Sequence, residues 1–233
     1  MKVVRRDEFR EVIYSKERWE ILKRKRNEAL KIMESLERCG FRCIVHGSVA
    51  RGDVYVDSDI DVVIPYKVPP FLVEQCLIRH GFKIFGRAIV MATPQTTPKA
   101  EIYLDPDELK VVTIPLSDLK TTEYEFYRFS GYLETNQLRE GVRVPGVNKR
   151  LMLIRPTERG HLEMSILGRE SYVANLLGVS LEVVMERASM LTRRDEVGRT
   201  GIFLKYYLTI EESFEEAIRR LVKSNKFFRK FIS

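Results

Sequence analysis

The segment Val45–Ile64, VHGSVARGDVYVDSDIDVVI, restricts the fold of this 233-residue chain more than any other stretch. An apolar strand runs into a Gly-Ser turn, and a second strand follows with Asp59 and Asp61 one residue apart. Successive side chains of a strand point to opposite faces, so Asp59 and Asp61 share one face while Ile60, Val62 and Ile64 point into a core. Carboxylates held in parallel repel each other, and a cation between them relieves that cost. Hard oxygen ligands of this kind suit Mg²⁺ or Mn²⁺, which makes both aspartates candidate metal ligands. Gly47 lets the backbone approach a ligand closely, and a short helix opened by Ser48 offers N–H groups to an anion, so a phosphate fits the same stretch. Arg51 lies one helical turn beyond Ser48 and is expected to add a charged donor to that phosphate. Asp-x-Asp or Gly-Ser alone is commonplace; in this order, with an apolar strand on each side, the two carry chemical meaning.

The run GSVARGDVYVDSDIDVVI resembles the signature of the DNA polymerase β-type nucleotidyltransferase superfamily, in which a Gly-Ser turn precedes an Asp-x-Asp strand. Its Ala-Arg-Gly and Ser-Asp-Ile-Asp details look most like the small, minimal members. The resemblance implies an α/β (α+β) fold with a mixed sheet and flanking helices. It also implies transfer of a nucleoside monophosphate from an NTP to an acceptor hydroxyl, with release of pyrophosphate. Ser48 at the Gly47 turn would then bind the terminal phosphates, Asp59 and Asp61 would hold two divalent metals, and a third carboxylate would come from a later strand. Lys99 to Leu104 reads as that strand, with Glu101 and Tyr103 on one face and Ile102 and Leu104 on the other. Glu101 is the candidate third metal ligand, placed to draw the proton from the acceptor hydroxyl. The family more often has aspartate there, and Asp105 is the rival, although with Pro106 and Asp107 it reads as a turn.

Composition bounds the remaining choices. A hydrophobic content of 44% supports one good core or two small ones. The chain has no apolar run near the length of a membrane span, and its opening MKVVRRDEFREV is too charged for a secretory leader, so a cytoplasmic setting is expected. The three cysteines, an odd number, argue against a disulfide framework and fit a reducing compartment. Cys39, Cys43, Cys76 and His80 have tolerable zinc spacing, but cysteine is commonly a small buried hydrophobe and Cys39 and Cys43 straddle a helix end. A formal charge of +7 suits a polyanionic partner as well as it suits a solvated basic surface.

Taken in order, Ser15–Cys39 reads as an amphipathic helix whose Lys23–Arg26 run lies on the wet side, and Phe41–His46 as the strand entering the signature. Phe71–His80 reads as a helix, Phe82–Met91 and Val111–Pro115 as strands, and Leu119–Phe129 as a short helical or irregular stretch. Gly131–Gly146 is expected to be loop-rich. A basic hairpin follows, with Asn148, Lys149 and Arg150 ahead of its first strand and Arg155, Arg159 and His161 around its turn. Lys149 is the candidate triphosphate contact there, against the alternative of a merely exposed, charged hairpin. SYVANLLGVSLEVVMER resembles a helix-turn-helix through Ala174, Gly178 and Val184, with Arg187 where a core residue is usual. Arg193–Phe203 reads as a wing-like hairpin, and Thr209 with Glu212 as the capping box of a last helix. The expected organisation is a catalytic domain over residues 1–160 and a helical domain over 165–233. An RNA end or another nucleic acid is the leading acceptor, with protein and small-molecule acceptors left open, and a non-catalytic nucleotide sensor or DNA-binding regulator is the competing reading.

Overall fold

The computed structural model of the chain describes Val3, residues 8–198 and residues 201–232. In chain order its elements begin with β1 (Arg10–Ile13), α1 (Lys16–Arg38), β2 (Ile44–His46), α2 (Ser48–Arg51) and β3 (Ile60–Val63). Next come α3 (Pro70–Arg79), β4 (Gly86–Met91), β5 (Lys99–Tyr103), β6 (Lys110–Pro115), α4 (Thr121–Ser130), β7 (Tyr132–Glu134) and α5 (Thr135–Arg139). The chain continues through β8 (Gly146–Val147), β9 (Met152–Thr157), β10 (Gly160–Ser165), α6 (Glu170–Leu177) and α7 (Leu181–Val197). It ends with β11 (Leu204–Tyr207), α8 (Phe214–Ser224) and α9 (Lys226–Ile232).

These elements form two compact units woven from separate chain segments. The first comprises Met1–Glu28, Val45–Ser58 and Thr121–Thr200; the second comprises Ala29–Ile44, Asp59–Lys120 and Gly201–Ser233. The expected boundary near residue 160 does not coincide with this division, because the C-terminal residues return to the second unit through β11, which pairs antiparallel with β4.

The first unit contains an antiparallel sheet of order β1-β10-β9-β8. Its core gathers Phe129 of α4, Leu153 and Met164 of the β9–β10 hairpin, Val173 and Leu177 of α6, and Val184 and Leu191 of α7. Two helices form over this stretch: Gly178 ends α6 in the left-handed conformation, and Ser180 caps α7 by accepting the Val183 N–H at 3.4 Å. Arg187 is turned inward, with its guanidinium 4.5 Å from the Phe126 ring centroid, and burial pulls its pKa down to about 10. The wing-like hairpin is corrected in part, since Arg193–Val197 continue α7; residues 199 and 200 of that stretch lie outside the described residues.

In the second unit the strand order is β11-β4-β5-β6-β3. β3 and β6 run parallel and the other pairs antiparallel, so the sheet is mixed. Ile60, Val62, Ile102, Val112 and Ile114 are fully buried, as are Met33 and Leu36 of α1 and Val73 and Leu77 of α3. The fold is thus mixed α/β with flanking helices, as the resemblance implies. The expected last helix is divided into α8 and α9, and α8 starts later than expected. Its capping box is Ser213 with Glu216 rather than Thr209 with Glu212, because the Glu212 carboxylate accepts from Tyr206 Oη and pairs with Arg220. Cysteine usage is a second correction: Cys39 and Cys76 form a disulfide, and Cys43 is a buried thiol outside that bond.

Gly160 shows how tightly β1 is seated. A Cβ built there would lie 1.9 Å from the Val12 carbonyl oxygen, so β1 and β10 approach only because glycine occupies the position. Gly160→Ala is expected to lower the unfolding free energy by about 1–3 kcal/mol in denaturant titrations. Ser213→Ala, which removes a cap without crowding, should cost about 1 kcal/mol.

Candidate functional site

The Gly-Ser turn belongs to the first unit. β2 delivers the chain to Gly47, whose φ of +80° suits glycine and opens α2 at Ser48. The Gly47 N–H donates to Gly131 O at 2.9 Å, and the Arg51 N–H closes the turn onto Gly47 O at 3.0 Å. Gly47 and Ser48 are half-buried while Val49 and Ala50 are fully enclosed, so the mouth of the turn is its accessible part.

Arg51 has a different role from the one expected of it. Its guanidinium is buried and grips Asp53 with both ends, Nε to Oδ1 at 3.0 Å and Nη2 to Oδ2 at 3.1 Å. Nη1 donates to Ser130 O at 2.6 Å and reaches Val147 O at 3.4 Å. With donors on all three nitrogens turned to protein acceptors, Arg51 anchors the turn rather than facing a phosphate. Arg26 holds the same helix from α1, donating to Val49 O at 3.1 Å and Ala50 O at 3.0 Å. Burial draws its pKa down to about 10. Half of the Lys23–Arg26 run is therefore inward: Lys25 and Arg26 are buried, and Lys25 Nζ donates to Ser58 O at 2.6 Å. Lys149 is exposed on the β8–β9 connection, where Asn148 Oδ1 accepts the Arg150 and Met152 N–H groups and shapes the turn.

The acids belong to the second unit. Asp59 immediately precedes β3 and Asp61 lies within it; both are half-buried, and Ile60 and Val62 between and beyond them are fully buried. The register Asp61↔Val111↔Tyr103, with Val63↔Thr113↔Glu101 in the next row, puts Asp61 and Glu101 on one face of the sheet. They are not on neighbouring strands. β6 lies between β3 and β5, a backbone separation of about 10 Å, and it carries no acid, presenting Val111 and Thr113 to that face. Two hard carboxylates two residues apart, one at the entrance to β3 and one within it, are a donor set whose chemistry fits a divalent cation such as Mg²⁺ or Mn²⁺.

Glu101 sits in a local network. Tyr103 Oη donates to Glu101 Oε2, and Lys205 of β11 lies 5.3 Å from the Tyr103 ring centroid while pairing with Glu108 at 2.9 Å. Burial raises the Glu101 pKa, against the pull of the Tyr103 hydrogen bond and the Lys205 and Lys99 charges. The contribution of Lys205 went unseen in the sequence, since β11 joins this sheet from the far end of the chain. Asp105 spends Oδ1 on the Leu109 and Lys110 N–H groups at 2.8 and 3.0 Å, which closes the β5–β6 turn.

Residues 26–130 match the model of the nucleotidyltransferase domain family. The match covers 105 of the 233 residues and supports the DNA polymerase β-type nucleotidyltransferase superfamily for this stretch. No curated protein and no solved structure matches the chain. Gly47, Ser48, Arg51, Asp59, Asp61 and Glu101 all fall inside the nucleotidyltransferase match, and Lys149 falls outside it. Nucleotidyl transfer is accordingly the chemistry to which the chain's domain points.

Because the folded protein holds the Glu101 carboxyl above its ordinary pKa of 4.5, ionising it opposes folding. That penalty is absent below the ordinary carboxylate range and grows as pH rises through it toward the raised value. Glu101→Gln, which retains an acceptor for Tyr103, should therefore melt close to the parent at pH 4 and above it at pH 7. Thermal denaturation at the two pH values measures the difference; a variant less stable than the parent at pH 7 would contradict the assignment.

Proposed function

We propose that the chain is a metal-dependent nucleotidyltransferase that moves a nucleoside monophosphate from an NTP to an acceptor hydroxyl and releases pyrophosphate. The observation that carries this reading is the Asp59 and Asp61 pair, half-buried at the start of a strand otherwise fully enclosed, inside the matched domain. Asp59 and Asp61 are assigned to Mg²⁺ or Mn²⁺ ions, which when bound supply Lewis-acid stabilisation of the attacking and departing oxygens. Ser48 and the backbone opening α2 are assigned to the terminal phosphates, and Lys149 to a further phosphate contact. Glu101 is assigned as the third carboxylate. Its raised pKa suits a group that accepts the acceptor's hydroxyl proton. Arg51 and Arg26 act at one remove by fixing the shape of the Ser48 turn.

An RNA end is the proposed acceptor, supported by the charge of +7 and by the α6–α7 pair. No described helix is long and apolar enough to cross a membrane, and the cytoplasm, where NTPs are held, is the compartment this reading implies.

Incubation with each labelled NTP, Mg²⁺ or Mn²⁺ and RNA should give labelled RNA and pyrophosphate. Asp59→Asn and Asp61→Asn should each lose at least ~100-fold in transfer while retaining the parent's melting profile. Full transfer by either variant would overturn the metal assignment. NTP binding with no pyrophosphate under any acceptor would make the protein a sensor. Association with RNA should weaken steeply between 50 and 200 mM salt, roughly 1,000-fold if it makes six or more phosphate contacts.

A further inference from the structure

We propose that the Cys39–Cys76 disulfide is a reversible thiol–disulfide exchange site, entered at Cys39, with His80 placed to serve the departing sulfur. The bond joins the residue following α1 to the middle of α3, across a Cα–Cα distance of 6.2 Å, and closes a loop of sequence separation 37 that includes Gly47, Ser48, Asp59 and Asp61. Its two sulfurs are unequal. Cys39 is half-buried, whereas Cys76 is 3% exposed, so a thiolate arriving from solvent meets Cys39 first. Cys43 does not compete for the pairing, being buried with its Sγ 3.8 Å from Met33 O.

Two further features fit the bond to open and close. His80 caps α3 with Nδ1 2.9 Å from Cys76 O, and the same nitrogen lies 3.9 Å from Cys39 Sγ and 3.8 Å from Cys76 Sγ. From that position the His80 ring can stabilise a departing thiolate and hand it a proton. Ser35 O lies 3.3 Å from Cys76 Sγ, an acceptor already placed for the S–H of the reduced residue. With a dithiol as reductant, its thiolate attacks Cys39 Sγ, the S–S bond breaks, and the electron pair leaves on Cys76 Sγ, which takes a proton. The second thiol of the reductant, as its thiolate, then attacks the mixed disulfide and releases the Cys39 thiolate, which takes the second proton. The protein gains two electrons and two protons, and the dithiol becomes a disulfide. A small-molecule disulfide drives the reverse sequence.

The test equilibrates the full chain in mixtures of reduced and oxidised glutathione, quenches in acid, tags free thiols by mass and melts each sample. A single Cys39–Cys76 bond should open and re-form reversibly without denaturant, and the oxidised chain should melt on the order of 10 °C above the reduced one. Cys39→Ser should melt with the reduced parent under both conditions. His80→Gln should slow reduction by dithiothreitol at pH 7 roughly tenfold while leaving the oxidised melting temperature in place. Free thiols at Cys39 and Cys76 in every mixture would overturn the proposal, as would a bond reducible only after unfolding. One zinc ion per purified chain, with the thiols blocked only after chelation, would likewise overturn it and make the cluster a metal centre. An unchanged rate in His80→Gln would remove His80 from the exchange.

Discussion

The buried ion pair between Arg51 and Asp53 fixes the turn on which the nucleotide reading depends. Taking both charges out of water is costly, and the cost is offset only when the remaining donors are satisfied. Arg51 meets that condition through both Asp53 oxygens and the carbonyls of Ser130 and Val147, groups contributed by residues that follow it by 79 and 96 positions. Arg26 grips the carbonyls of the same short helix from the side of α1. A four-residue helix has little stability of its own. Here two arginines and the left-handed Gly47 hold it, so the geometry presented by Ser48 is set during folding rather than on binding a ligand.

The second unit solves a different problem, which is to hold acids on a sheet. Parallel pairing of β3 with β6 buries alternate residues of β3 and leaves Asp61 on a face it shares with Val111 and Tyr103. The small apolar cluster of Ala88, Val90, Tyr103 and Val111 occupies that face between the strands. Glu101 lies beyond it, engaged by Tyr103 and near a lysine brought in by β11. Pairing of the C-terminal β11 with β4 therefore does more than extend the sheet: it sets the charge environment of Glu101.

Much of this was legible where one local pattern decides the outcome. The stripe of Leu22, Ala29, Met33 and Leu36 marked α1, and alternation around Glu101 and Tyr103 marked β5 with both side chains on one face. The Gly-Ser and Asp-x-Asp pairing led to the family. Legibility failed where a partner lies far along the chain. Nothing near Arg51 announces Ser130 or Val147, and so a buried clamp reads as an exposed phosphate ligand. The strand β11 is four residues long and takes its identity from β4, more than a hundred positions earlier. The chain offers two capping boxes in succession, and tertiary contacts of Glu212 with Tyr206 and Arg220 select the second. An odd cysteine count likewise concealed one bonded pair and one buried thiol.

A double-mutant cycle on Arg51 and Asp53, read as unfolding free energy from denaturant titrations of Arg51→Met, Asp53→Leu and the combined variant, tests the central claim most directly. The account predicts that each single change costs about 3–5 kcal/mol by stranding a buried charge, and that the double change costs less than their sum by about 2–3 kcal/mol. Single costs under about 0.5 kcal/mol with no coupling would contradict it, leaving Arg51 free to serve a ligand instead.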